Sequence, residues 1–254
     1  MGTRGAMERP ALLDRATAAL PAVTDATLGR AAATGLGLGS FLRRRRIFHP
    51  QGVAFAATWT ADDGADLGVP HLDGPRARPV TVRLSRGLGL PDGRPDIYGL
   101  AVRWDGVDEG GGQDLLLASV LGDGGPGQHV LAPAGALAER PLSTILPYRA
   151  PAGLVVFTAI VPEADARGLR TLDASAAAFE RGDLTIVLRA NVRGAEPVTV
   201  GRIRSHRRLA RDEAEALRFN PWNATSALEP AGALNALRRR SYAASQRARE
   251  RRAR

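Results

Sequence analysis

The 254-residue chain has no cysteine and no lysine, only two methionines, and few aromatics (5%). Without cysteine there are no disulfides, no thiolate nucleophile, no zinc–thiolate site and no iron–sulfur cluster. No run approaches the ~18 apolar residues of a transmembrane helix. The start lacks a signal-peptide core, being interrupted by Arg4, Glu8, Arg9, Asp14 and Arg15. A cytoplasmic protein with no membrane span is the expectation. Arginine without lysine, beside abundant alanine and glycine, reads as coding bias. GxGxxG, Walker A and GxSxG motifs are missing. The glycines at 35–39 follow a helical pattern rather than a strand, so a phosphate cradle lacks its context. The acids are scattered and no metal cluster is legible, which leaves a metal-dependent phosphoester hydrolase without ligands.

The charge is uneven. The formal net charge is +9, and residues 238–254 hold eight arginines against one acid, Glu250. That end therefore carries +7 and the remaining 237 residues only +2. A chain that coats nucleic acid along its length is disfavoured, and no nucleic-acid partner is expected. The arginine-rich end also lacks interleaved aromatics. Arg43–Arg46 form a second, shorter basic run, of the kind that is usually solvated or meets an anionic surface.

Residues 8–36 are alanine-rich with leucine and valine at helical spacing, and a glycine-containing joint follows at 37–46. We take 1–46 as an N-terminal helical segment and 47–254 as one domain. From Ile47 the apolar period becomes two, at 53–60, 80–85, 100–105, 114–120, 154–161, 184–192 and 197–203. Segments rich in glycine, aspartate and proline separate these strands. Helical patterns return at 212–219 and 233–252. A run of strands flanked by helices predicts an α+β fold, an antiparallel β-barrel of about seven to eight strands with N-terminal and C-terminal helices.

Three of the four histidines, His71, His129 and His206, lie in loop-like or arginine-rich surroundings and are expected to be solvent-exposed. His49 differs, because it precedes an apolar strand and follows Arg46-Ile47-Phe48. Tyr242 lies one helical turn after Arg238 and about two turns before Arg249. A phenol between guanidiniums has its anion favoured, and phenolate suits a hard ferric ion.

Together these residues resemble the haem catalase family. Arg46-Ile47-Phe48-His49 with Gly52 is similar to the segment carrying the distal histidine, and Val82-Arg83-Leu84-Ser85 to the next motif. Asp96-Ile97-Tyr98-Gly99-Leu100-Ala101-Val102-Arg103-Trp104 follows, then Gln113-Asp114-Leu115. Pro197 to Arg202, then Arg218-Phe219-Asn220-Pro221, then Pro230-Ala231-Gly232 keep the family's order. Arg238, Tyr242 and Arg249 match the proximal segment. There are departures: no asparagine stands near Ser119, where the distal amide is expected, and Ala243-Ala244 replace the aspartate after the tyrosine. In length the chain is most similar to the minimal catalase-related peroxidases.

The resemblance implies a haem-dependent peroxidase that uses hydrogen peroxide or organic hydroperoxides with an organic electron donor and has weak catalase activity. Its cofactor is haem b, with Tyr242 as the metal ligand and Arg238 steadying the phenolate. His49 is the implied distal acid–base, Ser85 orients it, and Ser119 stands where an amide is missing. Arg46, Arg83 and Arg249 pair with the propionates, and the family's habit implies a homo-oligomer. The alternative is a haem-free binding protein of the same fold, with a lipid, a small molecule or an anionic partner as ligand.

Overall fold

Period-two apolarity dictates which side chains turn inward, and the computed structural model shows the result for residues 51–74, 76–108, 111–162 and 168–232. Four long strands come first: β1 (Gln51–Ala61), β2 (Ala77–Arg86), β3 (Tyr98–Asp108) and β4 (Gly111–Ser119). The short β5 (Leu142–Ser143) and β6 (Tyr148–Ala150) follow, then β7 (Gly153–Ile160). After helix α1 (Leu172–Glu180) come β8 (Thr185–Val192), β9 (Val198–Arg208), α2 (Arg211–Ala216) and β10 (Glu229–Pro230). All pairings are antiparallel. The order β7-β5-β4-β3-β2-β1-β9-β8 returns to β7 through the β7–β8 pairing, so eight strands close into a barrel. The pair β6–β10 extends from β7 outside the ring.

Alternate residues fill the interior: Phe55 and Trp59 on β1, Val82 and Leu84 on β2, Val102 and Trp104 on β3, all 1% exposed or less. Trp59 and Trp104 meet edge to face at 5.5 Å. Thr171 caps α1 by accepting the Ala174 N–H at 3.0 Å, and the helix packs on β9, β1 and β2. Its Phe179 ring meets Phe55 edge to face at 4.9 Å.

The seven strand segments read from the sequence correspond to β1–β4 and β7–β9. The two-residue β5, without which the ring would not close, is too short to have a period. Helix α1 falls in a stretch where no element was predicted; its alanines carry little amphipathic signal. The helix expected over 212–219 stops at Ala216, because residues 218–225 are drawn onto β3 and β4 by the contacts described below. His71 corrects an expectation, being 3% exposed rather than solvated. The Asp73 carboxylate accepts the backbone N–H groups of Leu67 (3.0 Å) and Val69 (2.6 Å), which holds this loop in a tight turn. There the His71 ring lies 5.8 Å from that of Trp104. His129 and His206 are exposed, as expected. Among the described residues no helix is long and apolar enough to cross a membrane. The helices expected at 8–36 and 233–252, and the 46/47 boundary, lie outside the described residues.

Candidate functional site

An eight-stranded barrel is just wide enough for its own side chains. This interior is filled by aromatic and aliphatic residues, so a ligand site is sought on the outer wall. The strand register assembles one. Ser85 lies opposite Gly52 on one side and Gly99 on the other, and Gly99 lies opposite Ala118. One step along, Ala54, Arg83, Ala101 and Leu116 form a second row. Cross-strand partners share a face, so these eight positions form one outer face of the barrel, on which Ala54, Ser85 and Gly99 are buried. Strands ~4.8 Å apart make it roughly 14 Å wide. Apart from Arg83 and Leu116, its side chains are no larger than serine.

Arg83 and Ser85 come from one sequence motif, and their i, i+2 spacing on a strand turns both outward. Ser85 is buried, and its hydroxyl donates to the Gly99 carbonyl at 3.3 Å. Its proton is thereby committed, and its lone pairs remain as acceptors. The Arg83 guanidinium lies over Gly52, where a methyl group would collide with it. Burial lowers the Arg83 pKa from its ordinary value, since desolvation disfavours the charged form.

Ser119 is placed differently. It follows Ala118 and so faces the barrel interior, opposite Leu142. Its hydroxyl donates to the Ala132 carbonyl at 2.7 Å and accepts the Tyr98 N–H at 3.2 Å. The outer position in its neighbourhood belongs to Ala118, which sequence reasoning missed. The signal that finds it is the parity of β4, where Leu115 and Leu117 turn inward. Arg46, His49, Arg238, Tyr242 and Arg249 lie outside the described residues.

The motifs Gln113-Asp114-Leu115 and Arg218-Phe219-Asn220-Pro221 are brought together. Buried Asp114 holds Arg103 through two hydrogen bonds of 2.7 Å and accepts the Asn220 N–H at 2.7 Å and the Asn223 side-chain amide at 3.0 Å. The Gln113 side-chain oxygen accepts the Thr225 N–H at 2.9 Å. The hydrogen bond from Arg103 to Asp114, outweighing burial, raises the arginine's pKa. The Arg103 guanidinium also stacks 4.9 Å from the centre of the Phe219 ring. Beyond this clamp Ala231 donates to the Pro147 carbonyl at 2.9 Å, which leads the chain past β6.

No protein-family description and no curated protein matches the sequence. Solved structures do match. A bacterial catalase aligns with 85% of the chain at a TM-score of 0.51 and 12% identity. A fungal catalase aligns with 91% at a TM-score of 0.52 and 12% identity. The barrel is catalase-like. At such low identity the likeness is one of fold. The chain spans about three fifths of either catalase, 59% and 63% of their lengths.

The outer surface suits a flat group with acidic edges. Its side chains are small, and the bare Gly52 lets the Arg83 guanidinium lie against the strand, in the planar geometry that suits a carboxylate. Haem, planar and bearing two propionates, matches that description. Among the described residues no three His, Asp or Glu side chains gather as a metal cluster.

Proposed function

We propose that the protein is a haem-dependent peroxidase, reducing hydrogen peroxide or an organic hydroperoxide at the expense of an organic electron donor. The observation that carries this reading is the shared outer face of Gly52, Arg83, Ser85, Gly99 and Ala118 on a catalase-like barrel. Haem b, when bound, supplies the iron at which the peroxide O–O bond is broken. Tyr242, as phenolate, holds that iron, and Arg238 stabilises the phenolate charge. His49 takes a proton from one peroxide oxygen and returns it to the leaving oxygen. Ser85, with its own proton on the Gly99 carbonyl, accepts the imidazole N–H and fixes the ring. Arg46, Arg83 and Arg249 pair with the propionates. A hydroperoxide, two electrons and two protons give an alcohol and water, and two donor molecules each lose one electron. Catalase turnover is weak, because Ala118 offers no amide on this face and Ser119 faces inward with its proton committed.

The test is the spectrum of protein expressed with haem supply. A Soret band that shifts in Tyr242→Phe, with donor oxidation faster than oxygen release, is expected. A colourless protein after reconstitution, or a band indifferent to Tyr242→Phe, overturns the reading in favour of a haem-free binding protein.

A further inference from the structure

A cleft of about 500 Å³ opens beside Gly52, at the end of the small-residue face. Gly52 forms one wall, the β2–β3 loop at Leu90 and Asp92 a second, and the first turn of α1 at Leu172 and Asp173 the third. This is the scale of a small organic ligand. The lining has two characters. Leu90 is 39% exposed, one of only two large hydrophobic side chains left so open among the described residues, and Leu172 is half-buried beside it. Asp173 is exposed, and no residue forms a hydrogen bond or ion pair with its side chain among the described residues. Thr171 rather than Asp173 caps the helix, so this carboxylate is not spent on the backbone. Asp92 gives one oxygen to Arg86 and keeps the other. Among the described residues the lining includes no basic side chain, though the Arg83 guanidinium lies over its Gly52 wall.

The loop wall is fastened from below. Arg86 is 1% exposed, and its guanidinium holds Asp92 at 2.6 Å and the Arg94 carbonyl at 3.0 Å. Asp96, fully buried, accepts the N–H groups of Leu88 at 2.7 Å and Leu90 at 3.1 Å. Leu90 and Asp92 are therefore held in place before a ligand arrives, which lowers the ordering cost of binding.

We propose that this cleft binds the electron donor of the peroxidase reaction, and that the donor is a small aromatic cation. The inference rests on the haem reading for the donor's role. An aromatic body covers Leu90 and Leu172, and an ammonium meets Asp173. A carboxylate-bearing molecule of the same size is repelled by both acids.

Calorimetry on the full chain, with and without haem, tests this using three probes of one size: 2-naphthylmethylamine, 2-naphthylmethanol and 2-naphthoate. The amine is expected to bind about three- to fivefold tighter than the alcohol, with the carboxylate weakest. Asp173→Asn removes the amine's advantage and leaves the alcohol's Kd in place. Leu90→Ser weakens amine and alcohol alike. Equal binding of amine and alcohol, or an advantage that survives in Asp173→Asn, overturns the proposal. The two readings fail separately. A missing Soret band with the amine preference intact sinks the peroxidase reading, and a Soret band without the preference sinks this one.

Discussion

Arg103 and Asp114 face each other across β3 and β4 and are joined by two parallel hydrogen bonds, Nε to Oδ1 and Nη2 to Oδ2, each 2.7 Å long. The same carboxylate receives the Asn220 N–H and the Asn223 amide. One buried acid thus ties two motifs about a hundred residues apart and sets the path of the chain after α2.

Asp114→Ala leaves the half-buried Arg103 without its carboxylate and strips two further donors of their acceptor. Loss of one partner of a buried pair costs about 3–5 kcal/mol, and urea unfolding is expected to show it. Arg103→Ala strands the carboxylate and costs a comparable amount. The double substitution costs clearly less than the two together.

Gly52→Ala adds a methyl group against the end of a flexible arginine rather than against backbone. The fold is expected to tolerate it, with Tm moving by less than about 4 °C. The Arg83 guanidinium must shift, so on the proposed haem reading the haem affinity is expected to fall about fivefold or more. Arg83→Gln should match that weakening without the methyl group.

Gly201→Ala is the contrasting case. There a methyl group meets the Thr60 carbonyl and the buried Trp59 ring, and neither can retreat. Overpacking of this kind costs about 1–3 kcal/mol. Chemical unfolding followed by tryptophan fluorescence is the measurement.

Tyr98 sets a limit at high pH. Burial raises its pKa above the ordinary value near 10, although the Arg86 charge opposes the shift. The unfolded phenol ionises first, so the stability that buried Tyr98 contributes is complete below about pH 10 and is lost as pH rises through the folded value. Its hydroxyl also donates to the Arg170 carbonyl at 3.2 Å, a bond that the phenolate cannot make. Unfolding curves between pH 9 and 11 are expected to show falling stability that is shallower in Tyr98→Phe.

The sequence by itself determined what each strand puts inside and outside. Period two sent Phe55, Trp59, Val82 and Trp104 to the core and, by the same parity, turned Arg83 and Ser85 outward together. Motif order was legible as well, but that Asp114 meets Asn220 is shown only by the fold. Only the tertiary structure decided the register between strands, the closure through β5, the cleft at Leu90 and Asp173, and the burial of His71. The physical reason is that register lives in hydrogen bonds between distant segments, and one residue of slip exchanges the faces. That single step puts Ala118, not Ser119, beside Gly99 on the outer wall.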